Sequence, residues 1–217
     1  MRPRLEKIFC TIDFSDFTDR VLSYGIKLAQ MFNARLLIFH SVYSPRDALY
    51  GTTLFERGGE RKRLMAEARE AIEQLMHTCP VPWEGVVKSG DPVEMAARMA
   101  RELDVAMVIA ASRKFSGLKR MLVGTVVERM ARVITRPFLV VRSDNKRTEP
   151  IDIARPLQLK QIAVGSDLST DAELAVHYAW HLACAAGARL DLIHAMESPL
   201  DEDLISPTQG PYQTVQD

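Results

Sequence analysis

The chain is poor in cysteine, has no long apolar run and carries no net charge at neutral pH. Its three cysteines, Cys10, Cys79 and Cys184, lie far apart and form no CxxC or Cys/His cluster. That spacing argues against a disulfide framework or a zinc site and leaves reduced, partly buried thiols as the expectation. No stretch approaches the ~18 apolar residues of a membrane span. The basic N-terminal segment MRPRLEKIFCTID stops being apolar at Asp13, too soon for the core of a secretion signal. A cytoplasmic location with no membrane partner is therefore expected. Charge is balanced, with 28 Lys+Arg against 28 Asp+Glu. The balance hides an asymmetry of +6 over residues 1–145 and −6 over residues 146–217. An excess of that size over 145 residues is too weak to argue for nucleic-acid binding. The chain contains neither GxxxxGK[ST] nor GxGxxG, and no recognisable Ser/His/Asp or Cys/His set, so enzymatic activity is not expected.

What is present is an alternation. Ile8–Ile12 reads as a strand. Val21, Leu22, Gly25, Leu28, Ala29 and Phe32 then recur at helical spacing. Leu36–His40 reads as a second strand, followed by a polar loop through about Gly59 and a charged amphipathic helix over 60–78. Trp83–Lys88 is a weaker strand. Asp91, Pro92 and Glu94 signal a helix start: a capping acid, a proline at the first helical position and an acid in the first turn. Val105–Ala111 is almost wholly apolar, as expected of a strand covered on both faces. A helix follows from about Thr125 to Ile134, stopped by Pro137, and Phe138–Arg142 is the last strand. Strict alternation of this kind predicts an α/β fold with a doubly wound parallel sheet.

The pattern then restarts. Shifted by 154 positions, Ile162–Pro199 overlies Ile8–Pro45 without a gap, with about a dozen identities in fewer than forty positions. Asp13 meets Asp167, Ser15 meets Ser169 and His40 meets His194. This is an internal repeat that stops after β-α-β. The expected division is a first domain over 1–143, a linker over 144–158, a partial repeat over 159–200 and a disordered tail over 201–217.

In an open parallel sheet, ligands sit beyond the carboxyl ends of the strands where the strand order reverses. Three segments can supply such a crevice. One is TIDFSD, with Asp13 at the strand end. Its carboxylate could accept from a ribose hydroxyl or an adenine amino group, or serve the helix start together with Ser15 and Asp16. The second is FHSV, at the end of the second strand. The third is ASRKFSGLKRMLVGTV, residues 111–126, in which Arg113, Lys114, Lys119 and Arg120 concentrate positive charge. Gly124 and Thr125 open a helix there, and the free N–H groups of a helix start favour an anion. Thr125 with Glu128 also forms a capping box, which uses only some of those groups. His177 and His181 share a helix face but have no third ligand nearby, and they read as surface histidines. Met95, Met99 and Met130 read as core packing.

The segments KIFCTIDFSD, LLIFHSV, GDP at 90–92, SGLKR at 116–120, Gly124-Thr125 and PFLVV at 137–141 together resemble the universal stress protein family. The resemblance covers residues 6–143, with the first part of a second domain at 160–199. It implies a five-stranded parallel sheet of order 3-2-1-4-5, Rossmann-like and similar to the adenine-nucleotide alpha-hydrolase class. It also implies a regulator of stress survival in which any ATP hydrolysis is slow or absent. Many family members bind ATP through G-x2-G-x9-G-[ST]; here those positions hold Ala111, Lys114, Gly124 and Thr125, so the two leading glycines are replaced. The site residues implied for ATP, with Mg²⁺ if it binds, are Asp13, Ser41, Ala110, Ala111, Lys114, Gly124, Thr125 and Val126. The implied partners are a second copy of the chain, joined through Phe138–Arg142, and unidentified proteins. The alternative reading is a nucleotide-free dimeric scaffold.

Overall fold

The computed structural model describes residues 5–43, 54–112, 126–142 and 157–195, with side chains of the second segment from residue 59 onward. Two compact units are formed, one within Arg4–Leu157 and one within Gln158–Asp217. The first contains β1 (Lys7–Thr11), α1 (Thr18–Phe32), β2 (Arg35–Val42), α2 (Leu54–Met76), β3 (Trp83–Ser89), α3 (Pro92–Glu102), β4 (Met107–Ser112), α4 (Val126–Val133) and β5 (Phe138–Arg142). All neighbouring strands are parallel, in the order β3-β2-β1-β4-β5. The doubly wound sheet expected from the alternation is therefore present, with the implied strand order.

β1 is central, and its register explains its composition. Phe9 lies between Leu37 of β2 and Val108 of β4. Ile8, Phe9 and Cys10 have no exposed surface. Because side chains alternate along a strand, Phe9 faces one layer of helices and its neighbours face the other. On the Phe9 side, Leu37, Phe39 and Val108 pack with Val93, Ala96, Met99, Ala100, Met130 and Ile134. The Phe9 and Phe39 rings stack with centroids 5.1 Å apart. On the opposite side α1 approaches closely at Gly25, where an added Cβ would overlap the Cys10 sulfur and touch Leu36. Burial pushes the Cys10 thiol well above its ordinary pKa, so it acts as an inert apolar group. All three cysteines are free; Cys10 is buried and Cys79 half-buried, but Cys184 is exposed rather than partly covered as expected.

Several boundaries differ from the sequence reading. α2 begins at Leu54, not after a loop ending near Gly59. Glycine in a helix costs about 1 kcal/mol relative to alanine but removes no hydrogen bond, so a Gly-Gly pair near a helix start does not end it. β4 begins at Met107 rather than Val105. Asp104 has a positive φ of 48° and turns the chain, and Val105 is fully buried before the strand starts. The start of α3 is as expected. Asp91 Oδ1 accepts from the N–H groups of Val93 at 2.9 Å and Glu94 at 3.1 Å, and Pro92 is the first helical residue. Arg129 of α4 donates to the same carboxylate at 3.3 Å, which ties the two helices together. Burial pushes the Asp91 carboxyl up, but the two N–H groups and the Arg129 guanidinium outweigh it and hold the group below its ordinary pKa.

The second unit consists of β6 (Gln161–Gly165), α5 (Thr170–Ala186) and β7 (Arg189–Ile193), with β6 and β7 parallel. Its register, Ile162 opposite Leu190, repeats Ile8 opposite Leu36. Gly187 closes α5 at φ 62°, where Asn33 closes α1 at φ 52°. Two strands and one helix bury little: among the described apolar residues of this unit only Val164 and Ala183 are buried, while Leu174, Trp180 and Leu192 are exposed. Gln161 and Arg189 both donate to Asp191 on the sheet. The tail 201–217 and most of the expected linker lie outside the described residues.

Two measurements test these packing statements. Gly25→Ala is expected to lower the urea midpoint by the equivalent of about 1–3 kcal/mol at unchanged slope. Adding Cys10→Ala should recover most of the loss; an unchanged midpoint in the single variant would refute the close approach. For Asp91, a depressed folded-state pKa means stability that is present above the unfolded value, near pH 3.9, and lost as pH falls through the folded value. Asp91→Asn keeps a capping oxygen but loses the charge, so it should cost about 0.3–1 kcal/mol at pH 7 and flatten the acid limb of the stability profile. Parallel acid limbs in the variant and the parent would refute the assignment.

Candidate functional site

Strand order reverses between β1 and β4, so the helices that follow these strands leave on opposite sides and a crevice opens at their carboxyl ends. A cavity of about 220 Å³ occupies it. Thr11, Ile12, Asp13, Ser15, Phe17, Thr18 and Val21 line it from the β1 end and α1. Phe39, His40 and Ser41 come from β2, Pro92 from α3, Ala110 and Ala111 from β4, and Val126, Val127 and Met130 from α4. The structure thus brings five sequence-predicted residues, Asp13, Ser41, Ala110, Ala111 and Val126, onto one cavity. Lys114, Gly124 and Thr125, with the basic segment around them, lie outside the described residues.

The turn after β1 is built from its own side chains. Asp13 Oδ1 accepts from the Ser15 N–H at 3.0 Å and the Ser15 hydroxyl at 2.5 Å. Ser15 Oγ in turn accepts from the Phe17 N–H at 3.4 Å. α1 starts only at Thr18, its cap position is Phe17, and no side chain caps it. Asp13 therefore orders the turn before the helix rather than capping the helix itself, and the carboxylate stays exposed at the cavity. Between them, Phe14 adopts φ 56°, a conformation that costs an L-residue roughly 1–2 kcal/mol. Its ring lies against the His40 ring with centroids 4.6 Å apart.

His40 Nδ1 is 3.0 Å from the Ile12 carbonyl. A carbonyl only accepts, so Nδ1 carries the hydrogen and Nε2 of the neutral ring is an acceptor. The same bond recurs in the second unit between His194 Nδ1 and the Ser166 carbonyl at 2.7 Å. The repeated histidines thus share a structural task. Ser41 donates its hydroxyl to the Gly90 carbonyl at 2.7 Å, so its side chain is committed. Ala110 is buried and Ala111 half-buried at the end of β4.

Thr18, Phe39, Pro92, Val127 and Met130 also line the cavity and were not singled out as site residues. Met130 was read as core, and it is both core and cavity wall. Thr18 carried no signal, because a threonine at a helix start reads as a cap. It is 4 % exposed, and its Oγ1 has no hydrogen-bond partner among the described residues.

Among the described residues no group of three His, Cys, Asp or Glu side chains could hold a metal ion. His177 faces Glu173 at 3.5 Å, and the His181 ring lies against the Trp180 ring with centroids 4.8 Å apart. No described helix is long and apolar enough to cross a membrane.

Comparison with known proteins places this architecture. The model of the universal stress protein family matches residues 4–142. Universal stress protein YxiE of Bacillus subtilis is 27 % identical over 148 residues, which cover 63 % of this chain and 98 % of that protein. The crystal structure of a universal stress protein from Archaeoglobus fulgidus superposes with a TM-score of 0.68 at 17 % identity, covering 92 % of this chain and 69 % of the other. A protein of unknown function from Pseudomonas aeruginosa superposes with a TM-score of 0.57 at 14 % identity, covering 88 % of this chain and 61 % of the other. The sheet order, the crevice at its switch point and the family match over most of the first unit together establish that the chain belongs to the universal stress protein family.

Proposed function

We propose that the cavity binds an adenine nucleotide and that the chain is a cytoplasmic stress-response regulator rather than an enzyme. One observation carries this reading: the cavity lies at the β1/β4 switch point and collects Asp13, Ser41, Ala110, Ala111 and Val126 from four separate elements. The donor set fits such a ligand. An apolar floor of Val21, Phe39, Ala110 and Met130 suits the face of a flat ring. The Asp13 carboxylate accepts hydrogen bonds, as a ribose hydroxyl or an exocyclic amine requires. Val126, the first described residue of α4, lies on the cavity wall, and a helix start there would favour a phosphate. The same end of the sequence carries Lys114, Gly124 and Thr125. Mg²⁺ would arrive on the phosphates of ATP, since the described residues supply no carboxylate cluster for it. Nucleotide binding would bias which partner surface the protein presents, without chemistry on the ligand.

A second copy of the chain is the proposed partner. β5 pairs with β4 on one side, and among the described residues no strand pairs with its other side, so Phe138–Arg142 offers an open edge. The observation that favours a nucleotide-free scaffold is Ala111 in place of a glycine, which adds a methyl group on the cavity wall.

Calorimetric titration with ATP and Mg²⁺ decides between the readings. Micromolar binding is expected, weakened at least tenfold by Asp13→Ala. Absence of heat, with no nucleotide in the purified protein by mass spectrometry, would leave the scaffold. In sedimentation equilibrium the protein should run at twice its 24.4 kDa chain mass; a monomer at micromolar concentration would end the edge-strand proposal.

A further inference from the structure

A buried hydroxyl without a partner is costly, because the hydrogen bonds it gave up to water are not replaced. Thr18 is the one buried polar residue among those described, and its Oγ1 the one buried side-chain oxygen or nitrogen among them without a hydrogen bond. It lines the cavity. Oγ1 itself has almost no accessible surface in the ligand-free chain, so it meets a ligand only by turning about χ1. We infer that Thr18 is a recognition residue for the ring edge of a nucleobase, its hydroxyl turning into the cavity to bond a polar atom of the base.

Three observations support a role in binding rather than in folding. The hydroxyl does not cap α1, whose cap position is Phe17 and receives no side-chain bond. Nor does it bond a carbonyl one turn back, the usual outlet for a threonine in a helix; the Ser15 carbonyl takes the Thr18 backbone N–H at 2.9 Å instead. The second unit repeats the turn with Asp167, Ser169 and His194 but has Ala172 at the position matching Thr18. The turn is therefore built without this hydroxyl, while the helix after it starts two positions earlier there and is capped by Ser169.

The surroundings define the ligand group. Val21, Phe39 and Met130, each at most 3 % exposed, line the cavity with Thr18. Among the described residues lining the cavity there is no lysine or arginine to meet a phosphate, and desolvating one there would be costly. A planar heteroaromatic ring puts its apolar face on such a floor and offers nitrogen or amine atoms at its edge. A threonine hydroxyl can donate to a ring nitrogen or accept from an amine, and rotation about χ1 exchanges its hydroxyl and methyl groups. This inference rests on the nucleotide reading above and adds that the base, not the phosphate chain, is read at the floor. Removing the phosphates should then cost little: adenosine is expected to bind within about tenfold of ATP.

The test uses Thr18→Val, which keeps the shape and removes the hydroxyl, and Thr18→Ser, which keeps the hydroxyl. Thermal melts of the ligand-free full chain and calorimetry with adenosine and with ATP and Mg²⁺ are compared across the three proteins. The expected result has opposite signs in the two readouts. Val removes an unsatisfied buried group and should raise the melting temperature by roughly 2–4 °C while weakening adenosine about tenfold. Ser should lower the melting temperature yet bind adenosine within about threefold of the parent. If the parent binds and Val binds equally well, the inference is overturned and the nucleotide reading stands. A lower melting temperature in Val, with affinity unchanged, would instead assign the hydroxyl to a structural water. If the parent binds neither adenosine nor ATP, both fall together, and that failure is seen in the parent alone.

Discussion

Every other feature of the first unit depends on the need to bury β1 on both faces. A central parallel strand has no solvent side, so it must be apolar at each position and must find a helix layer above and below. Ile8, Phe9 and Cys10 satisfy the first condition, and the two packing layers satisfy the second. One layer is large and aromatic, built around Phe9 and Phe39. The other is thin, because Gly25 brings α1 almost onto the Cys10 sulfur. Room denied to a side chain at position 25 sets how close α1 lies to the sheet, and with it the position of Thr18 and Val21 at the cavity.

The cavity follows from the same sheet. Once β2 and β4 flank β1 on opposite sides, the connections leave in opposite directions, and among the described residues a gap remains at the carboxyl ends. The turn after β1 holds its shape through Asp13, Ser15 and the His40–Ile12 contact. That these bonds recur as Asp167–Ser169 and His194–Ser166 separates architecture from recognition. In the second unit, hydrogen bonds from Ser169 hold the Asp167 carboxyl below its ordinary pKa. An aspartate here is therefore a folding device first, and any ligand contact is added to it. The Asp91–Arg129 pair does comparable work at the other wall by tying the start of α3 to α4.

The second unit shows what happens when the constraint is only half met. Residues matching Phe9 and Leu37, on the face that α3 and α4 cover in the first unit, are Ala163 and Asp191. Asp191 is held by Gln161 and Arg189 in a polar network on the two-stranded sheet. The large apolar residues of the uncovered face have thus been exchanged for small and polar ones. On the helix-covered face, Val164 stays buried.

Local patterning by itself determined the alternation of strands and helices, the Asp91–Pro92 helix start, the repeat at 154 positions and the parallel class of the sheet. These are properties of residue periodicity and capping chemistry, which act over a few positions. The positions of Asp13, Ser41, Ala110, Ala111 and Val126 were also legible, because family motifs and the switch-point rule both point to strand ends. Only the tertiary structure decided that they share one cavity, since that depends on strands β1, β2 and β4 meeting in register. It alone revealed the buried, unpaired hydroxyl of Thr18, whose state depends on what surrounds it rather than on what precedes or follows it. Helix α2 starting at Leu54 and β4 starting at Met107 were misplaced for a related reason. Glycines and buried residues mark tendencies of the chain, while the register of the completed sheet and the packing of its helices set where each element begins.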